Sequence, residues 1–347
     1  MLTEEQFNEI REHLQEAQNP VFFYDSDADG LSSFVLLAKW LGKGYGVVIK
    51  DFRDMWEHYL NKAEQLGADC IFCLDLPYLN KEFVDAVNEK NLKLVSIDHH
   101  DTEKLKGLEF EYNTFHESGK NESVAELCYE VTQQKKDMWI AVVGCVADVK
   151  MPSFFEEFAK ENPEWIDCEY ETAFDVRYKC RLGKLIDVFN FGLKDTTTNV
   201  VRLQKFLIKA QFPSEVLEEN PKTKTFLDKY DFLNKIIKKL VVKAEKKIDI
   251  EKKLLFFTYG GTTGVSQHLS DRLMYRNPGI TIVLGYNSGG EKIKFSLRGN
   301  PVNVREVVLK AIEGLEGAGG GGHKFSSGAQ ICMSDLDLFR ERVENLV

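Results

Sequence analysis

Short apolar runs alternate with longer amphipathic stretches through the first half of the chain. The runs have the length and the polar boundaries of buried strands, and they are VFFY (21–24), GVVIK (46–50), CIFCLDL (70–76) and LKLVSIDHH (92–100). The stretches that we interpret as helices are residues 1–17, 31–41, 52–66, 80–90 and 122–133. Strands that alternate with helices predict a parallel, doubly wound sheet, and such sheets bind ligands at the carboxyl ends of their strands.

The second half of the chain follows a different pattern. Residues 138–152 are interpreted as a buried helix that brings Asp148 near its end, and residues 153–250 as mostly helical. A new pattern begins at KLLFFTYGG (253–261). The predicted elements beyond it are neighbouring strands at 280–286 and 291–300, a helix at 302–315, and a glycine-rich loop at 317–331 that leads into a last strand or helix. We therefore expect three regions, which are an α/β domain with a parallel sheet (1–190), a helical lysine-rich connector (191–252) and a smaller α/β domain (253–347).

The composition narrows the class of protein. A chain of 347 residues exceeds what one hydrophobic core usually absorbs, so two domains are expected. No apolar run is long enough to cross a bilayer, and the acidic, amphipathic N-terminus does not have the pattern of a signal peptide. Seven scattered cysteines favour a reducing compartment, here the cytoplasm, over a disulfide framework.

The charge of the chain is unevenly distributed. Its formal net charge is −10, which repels nucleic acid at long range. Residues 202–253, in contrast, contain 14 lysines and arginines against 8 aspartates and glutamates. A solvated helical face explains each of these basic residues singly, whereas as a group they provide a path for a polyanion.

Three aspartates, Asp25, Asp27 and Asp29, follow the first predicted strand at intervals of two residues. Carboxylates this close repel one another, and a bound divalent cation removes that cost. With Gly30 as a turn residue they are hard oxygen donors that suit Mg²⁺ or Mn²⁺. An Asx-turn with exposed charges explains an isolated DxDxDG pattern about as well, so this motif alone leaves both interpretations open.

Further acidic residues and two histidines follow the later apolar runs. Asp75 interrupts the run CIFCLDL, and Asp98, His99 and His100 end the run LKLVSIDHH. In such a triplet a histidine can bind a metal while the aspartate orients an imidazole ring. Taken alone, Asp148 would be a helix-terminal residue and each histidine an ordinary hydrogen-bonded one. Their combination, in order along alternating strands and helices, is far more specific than its members.

The order of these motifs resembles that of the DHH phosphoesterase superfamily, and the resemblance covers nearly the whole chain. The motifs of its first domain correspond to YDSDADGLSS, CLDLP, SIDHH and CVADVKMP. Its second domain, called DHHA1, resembles FSLRGNPVNV followed by GGGGHKFSSGA. The branch that looks most similar is the RecJ-like and NrnA-like one, in particular the archaeal RecJ-like nucleases. The resemblance implies a catalytic DHH domain, a helical linker and a DHHA1 domain that binds substrate.

The resemblance also implies a site for two divalent cations, Mn²⁺ in the first place and Mg²⁺ in the second. One cation would be held by Asp25, Asp27 and Asp75. The other would be held by Asp29, Asp75, His99 and Asp148. Asp75 would bridge the two. The family usually has a histidine two residues before the first aspartate, and Asp25 in that place favours harder cations.

The remaining implied roles concern the substrate. His100 would donate a hydrogen bond to the substrate phosphate, and Asp98 would fix a histidine ring. The residues of the second domain that would bind the nucleotide end are Arg298, His323, Ser296, Gly320, Gly321 and Gly322. Without the family, a surface charge on an edge strand explains Arg298, and a flexible linker explains the glycine run.

Three functions are compatible with these features. The first is an exonuclease that acts on single-stranded DNA or RNA, with the basic helices along the backbone. The second is a phosphodiesterase of short oligonucleotides or cyclic dinucleotides, or a phosphatase of 3′-phosphoadenosine phosphate, which the acidic overall charge favours. The third is a scaffold without activity in a replication or repair complex, which the retained acidic ligands disfavour. Replication or repair proteins and a second copy of the chain are further candidate partners, and no membrane is expected.

Overall fold

The chain divides into two compact units. The computed structural model describes residues 1–50, 56–77 and 79–347. The first unit is Met1–Tyr230 and the second is Asp231–Val347. The division falls inside the region predicted as a connector, and the predicted limits of that region, residues 191 and 252, stay predictions.

The first unit contains the predicted parallel sheet. Its strands are β1 (Pro20–Asp25), β2 (Tyr45–Ile49), β3 (Cys70–Leu74), β4 (Lys93–Asp98) and β5 (Phe110–Asn113). All neighbours pair in parallel, in the order β2-β1-β3-β4-β5. The doubly wound fold class is therefore confirmed, and the edge strand β5 is an addition to the predicted strands.

Helices surround this sheet and fill the rest of the first unit. They are α1 (Glu4–Glu16), α2 (Ala28–Leu41), α3 (Trp56–Gln65), α4 (Lys81–Glu89), α5 (Thr114–Ser118), α6 (Val124–Thr132), α7 (Met138–Ala147), α8 (Phe155–Glu161), α9 (Ala173–Lys179), α10 (Leu182–Gly192), α11 (Thr197–Lys209), α12 (Pro213–Leu217) and α13 (Lys224–Glu245), the last of which continues into the second unit. The predicted helix at 52–66 corresponds to α3, and its first residues lie outside the described part of the chain.

Both faces of the sheet are buried, because successive side chains of a strand point to opposite sides. On β1, Phe22 and Tyr24 pack in one core with α2, α6 and α7, whereas Val21 and Phe23 pack in another with α3 and α4. Buried strands of this kind are continuous apolar runs, as the sequence has them. The chain leaves β1 toward β2 on one side and then crosses to β3 on the other, so the strand order reverses between β1 and β3. Ligands of open α/β sheets bind at such a point, outside the carboxyl ends of the strands.

Gly30 lets the start of α2 lie directly against the end of β1. A Cβ atom at this position would lie 2.7 Å from the carbonyl oxygen of Asp25 and 2.8 Å from its nitrogen. These are backbone atoms and cannot rotate away, so α2 would have to move from the strand. We expect Gly30→Ala to lower the free energy of unfolding by about 1–3 kcal/mol, the usual cost of overpacking. Urea unfolding measures this, with Gly290→Ala as control, because a Cβ at Gly290 meets no atom within 4 Å. Equal stability of the two variants would contradict the packing argument.

The second unit is built on a mixed sheet. Its strands are β6 (Ile248–Asp249), β7 (Leu254–Gly260), β8 (Thr281–Asn287), β9 (Lys292–Arg298), β10 (Gly319–His323) and β11 (Ser326–Cys332), in the order β10-β11-β9-β8-β7-β6. Its further helices are α14 (Ser266–Arg276), α15 (Val304–Ile312) and α16 (Leu336–Leu346). The predicted neighbours at 280–286 and 291–300 are confirmed as the antiparallel pair β8 and β9.

The sequence pattern predicts a glycine-rich loop, and this prediction is wrong. Gly319–His323 is a strand, antiparallel to β11, with Gly321 opposite Gly328. Glycine has a low strand propensity, and here the pairing partner β11 determines the conformation instead. At position 320 the close packing of the two strands requires glycine. A Cβ atom there would lie 2.8 Å from the carbonyl oxygen of Gly328.

Two cysteines are joined, although the sequence favoured no disulfide framework. Cys168 and Cys180 form a disulfide in the first unit. Cys70, Cys73, Cys128 and Cys145 are free and buried. In the described part of the chain, none of the helices is both long enough and apolar enough to cross a membrane.

Candidate metal centre

The acidic residues of the sequence motifs meet at the carboxyl ends of β1, β3 and β4. Asp25 is the last residue of β1, Asp75 directly follows β3, and His99 directly follows β4. Asp148 is the C-cap of α7, as expected from the apolar stretch that precedes it. Among the described residues, the groups whose ligand atoms lie within 4.8 Å of one another are Asp25, Asp27 and Asp75; Asp29, His99 and Asp148; and Asp75, Asp98, His99 and His100.

Asp75 and His99 form the buried centre of this cluster. Asp75 is 1% exposed and His99 2% exposed. Neither the carboxylate oxygens of Asp75 nor the ring nitrogens of His99 have a hydrogen-bond partner among the described residues. The His99 Nε2 atom lies 3.1 Å from Asp75 Oδ1 and 3.5 Å from Asp148 Oδ2, without hydrogen-bond alignment to either. Buried polar atoms without partners are costly, and carboxylate oxygens with an imidazole nitrogen are a donor set that fits a divalent cation.

The backbone at two positions of the cluster is in the left-handed region. Asp75 has a φ of 59°, and Val149, next to Asp148, has a φ of 58°. A β-branched residue rarely adopts this conformation, so the chain is under strain at Val149. At Asp75 the backbone N–H donates to the carbonyl oxygen of Ile97, which fixes the end of β3 to β4. The rigid sheet therefore holds the carboxylate of Asp75 in place.

Asp98 orients His100. The Nδ1 atom of His100 lies 2.8 Å from Asp98 Oδ1. The amide of Asn113, the last residue of β5, donates to Asp98 Oδ2 at 3.4 Å and to the carbonyl oxygen of His100 at 3.1 Å. Burial disfavours the charged ring, but the hydrogen bond to Asp98 and its negative charge outweigh burial and raise the pKa of His100. Asn113 was missed in the sequence, where the short run FEYN was the only signal for its strand.

Asp29 already has several protein partners. Its Oδ1 atom accepts from Ser123 Oγ at 2.6 Å and from the N–H of Ala125 at 2.8 Å, and its Oδ2 atom accepts from the N–H of Val124 at 2.9 Å. Asp29 thus fixes the start of α6 beside the cluster. Oδ2 keeps a lone pair for a cation, and the predicted role of Asp29 as a metal ligand stays a prediction. Sequence spacing could not reveal Ser123, which lies 94 residues away.

Burial and neighbouring carboxylates shift the pKa values of the residues in this cluster. Burial, with a smaller contribution from Asp27, raises the pKa of Asp25 to about 8. Burial and the neighbouring carboxylates also raise the pKa of Asp75 and that of Asp148 well above the usual range. Burial lowers the pKa of His99, so this ring is held in the neutral form that binds metals.

Comparison with known proteins agrees with this arrangement. The DHH family, N-terminal domain, matches residues 21–148, and the DHHA1 domain matches residues 251–347. The chain belongs to the DHH/DHHA1 superfamily. None of the curated proteins matches it by sequence.

Several solved structures have the same fold at low sequence identity. RecJ from Thermus thermophilus in complex with Mn²⁺ has a TM-score of 0.72 and 18% identity, over 98% of this chain and 54% of that one. The chain therefore spans about half the length of that RecJ, which has also been solved with Mg²⁺. An exonuclease RecJ bound to manganese has a TM-score of 0.65 and 17% identity, over 98% and 93% of the two chains. A pGpG-specific phosphodiesterase, PggH from Vibrio cholrae, has a TM-score of 0.52 and 14% identity, over 94% and 98%.

The raised carboxylate pKa values of the DHH domain predict how stability depends on pH. A raised pKa means that the folded chain binds more protons than the unfolded chain. For Asp25 this difference exists at pH values between the ordinary pKa of 3.8 and the raised pKa of about 8. Without cations, stability must then fall as the pH rises through that window. Cations replace the protons, so we expect Mn²⁺ to raise the Tm more at pH 8 than at pH 6. Thermal unfolding with and without Mn²⁺ at both pH values tests this, and equal gains would contradict it.

In the DHHA1 domain, Arg298 is buried rather than on the surface. It ends β9, an interior strand, so the alternative of a charge on an edge strand is wrong. Its Nε atom donates to Asp271, and its Nη1 atom donates to Ser296 Oγ at 3.2 Å and to the carbonyl oxygen of Leu297 at 3.0 Å. The guanidinium plane is thereby fixed, and Nη2 has no partner among the described residues.

The other predicted DHHA1 residues lie on neighbouring strands. His323 ends β10 and pairs with Ser326, and Ser326 pairs in turn with Arg298 on β9. The three strands therefore bring Arg298 and His323 to the same end of the sheet. Gly320, Gly321 and Gly322 follow along β10, at the sheet edge. A strand offers backbone N–H groups in a row rather than the concave cradle that a glycine-rich loop would form.

Proposed function

We propose that the chain is a metal-dependent exonuclease that acts on single-stranded DNA or RNA. The observation that carries the proposal is the buried pair of Asp75 and His99, whose polar side-chain atoms have no hydrogen-bond partners among the described residues and are surrounded by further carboxylates. We assign Asp25, Asp27 and Asp75 to a first cation. Asp29, Asp75, His99 and Asp148 would hold a second, and Mn²⁺ is the expected ion.

The protein groups would divide the chemistry as follows. Bound divalent cations supply a Lewis acid and an activated water to phosphodiester hydrolysis. His100, held by Asp98, would donate a hydrogen bond to a phosphoryl oxygen and stabilise the negative charge that develops there. Asp98 keeps the Nδ1 proton of His100 in place, so the Nε2 atom is the one directed to the substrate.

The DHHA1 domain would recognise the end of the strand. Arg298 has a fixed guanidinium plane, which suits a phosphate. Ser296, His323 and the glycines of β10 would complete the contact. The basic residues of 202–253 would follow the sugar-phosphate backbone. A cytoplasmic location, replication or repair partners and a homodimer remain predictions.

A phosphodiesterase of short substrates is the second candidate. The net charge of −10 opposes long polyanions, and the similarity to PggH, described as pGpG-specific, favours a linear dinucleotide. Short oligonucleotides and cyclic dinucleotides belong to the same candidate. A phosphatase of 3′-phosphoadenosine phosphate belongs to this candidate too. A scaffold without activity is the third candidate, and the retention of all but one motif position in metal-binding form opposes it.

One assay separates these candidates. The chain is incubated with Mn²⁺ and end-labelled DNA and RNA oligonucleotides of graded length, with cyclic dinucleotides and 3′-phosphoadenosine phosphate in parallel. The proposal requires progressive shortening of long strands. Turnover restricted to very short substrates would replace it with the second candidate. No turnover of any substrate with Mn²⁺ or Mg²⁺ would contradict both.

A further inference from the structure

The end of α10 is fixed beside the first aspartates of the metal centre. The side-chain oxygen of Asn190 accepts from the backbone N–H of Ala28 at 2.9 Å, in a buried contact. Ala28 is the first residue of α2 and directly follows Asp27. Because Asn190 lies in the last turn of α10, the residues that follow this helix come out next to the acidic cluster. The second residue after α10 is Lys194.

A second lysine holds this segment at the carboxyl end of the sheet. Lys50 follows β2, where Ile49 pairs with Asp25. The Nζ atom of Lys50 donates to the carbonyl oxygen of Asp195 at 2.9 Å, the residue after Lys194. The segment is therefore fixed at two points, by Asn190 on one side of Lys194 and by Lys50 on the other.

Lys194 interacts electrostatically with the metal ligands and with the other cations. Burial lowers the pKa of Lys194, Lys50 and Lys229 lower it further, and the carboxylates of Asp25 and Asp27 act in the opposite direction. The ammonium group of Lys194 has no hydrogen-bonded acceptor among the described residues. A half-buried ammonium that repels two other lysines and has no acceptor of its own is costly, unless an anion binds to it.

A different lysine, Lys150, lies near the other residues of the acidic cluster. Lys150 interacts with Asp148 and with His99, whereas Lys194 interacts with Asp25 and Asp27. The two lysines therefore lie toward different ends of the metal centre. The phosphate that is cut would lie at the cations and His100, and His100 also interacts with Asp25 and Asp27. Lys194 therefore lies on the His100 side of the metal centre, where a neighbouring phosphate of the substrate would come within its reach.

We propose that Lys194, held in place by Lys50, binds a non-bridging oxygen of the phosphate adjacent to the one that is cut. This inference rests on the proposed phosphodiesterase function and deepens it. It makes Lys194 a specificity-determining residue, because a substrate with two or more phosphates gains a contact that a single phosphodiester cannot make. Lys50 fixes the Lys194 segment and contributes positive charge.

The test compares two substrates and four variants. Pentathymidylate has several phosphates, and bis(p-nitrophenyl) phosphate has one. Lys194→Met retains the volume of the side chain without its charge, Lys194→Gln is a second neutral variant, and Lys194→Arg keeps the charge. Lys160→Met, which replaces a lysine of α8, is the matched control. Affinity for labelled pentathymidylate is measured by fluorescence anisotropy in Ca²⁺, which reports binding without turnover.

We expect Lys194→Met and Lys194→Gln to weaken pentathymidylate binding and to raise its KM by about tenfold, as one charged phosphate contact does. The salt dependence of binding should decrease by about 0.7 in slope for a single-strand contact. Lys194→Arg and Lys160→Met should resemble the wild type, and bis(p-nitrophenyl) phosphate turnover should change by less than about twofold. Unchanged pentathymidylate affinity in both neutral variants would overturn the inference, and so would an equal loss on both substrates. A wild-type chain that binds pentathymidylate through Lys194 but hydrolyses neither substrate would contradict the proposed function alone.

Discussion

We expect Asp75→Asn to lower kcat for phosphodiester hydrolysis by about a thousandfold or more. Asp75 and His99 each belong to two of the ligand groups, and in the proposed site the loss of the Asp75 charge would remove the bridge between two cations. The several kcal/mol of charge stabilisation that such cations supply corresponds to a factor of this size. Steady-state hydrolysis of an oligonucleotide in Mn²⁺ measures the effect.

Asparagine is the informative replacement at this position. The φ of 59° at Asp75 is tolerated by asparagine better than by alanine, so the backbone is preserved. Without cations, Asp75 is a buried carboxylate among like charges, and burial and those charges raise its pKa. The neutral variant should therefore unfold at the same Tm as the wild type or above it in a chelator. Asp85→Asn, in an exposed ion pair of α4, is the control and should change neither quantity. Wild-type rates from purified Asp75→Asn would refute the assignment.

Asp98→Asn should lower kcat by about a hundredfold to a thousandfold, the range found for a lost electrostatic contact to the transition state. The asparagine can still accept from His100 Nδ1, but it lacks the charge that favours the protonated ring. Because Asp98 uses both oxygens within the protein, on His100 and Asn113, we expect Mn²⁺ binding to be unchanged. Stopped-assay kinetics and Mn²⁺ titration on the same preparation measure the two quantities. A loss of Mn²⁺ binding with kcat would instead make Asp98 a metal ligand.

The parallel sheet and the position of the site could be predicted because each depends on local sequence. A buried parallel strand is a continuous apolar run, and acidic residues at the end of several such runs converge at one edge of the sheet. Asp25, Asp75 and His99 are placed in this way. The helix that ends at Asp148 was also predictable, since its apolar stretch has a clear stop.

What supports these residues could not be predicted, because it depends on contacts between distant segments. Ser123 contacts Asp29, and Asn190 contacts Ala28 across 162 positions. Neither pair has a spacing that a helix or strand would repeat. The glycine run was misinterpreted for the same reason, since its strand exists through pairing with β11 rather than through its own propensity. The sequence left open whether Arg298 is a surface charge on an edge strand or a buried residue. The position of β9 between β11 and β8 decides this.

The number of cations that the chain binds tests the central claim most directly. Metal-free protein is titrated with Mn²⁺ at pH 8, and free Mn²⁺ is followed by electron paramagnetic resonance. We expect two Mn²⁺ ions per wild-type chain with the spectrum of a spin-coupled pair, and at most one uncoupled ion in Asp75→Asn. Wild-type protein that binds no Mn²⁺, or binds it only as isolated ions that Asp75→Asn retains, would contradict a two-cation site at the ends of β1, β3 and β4.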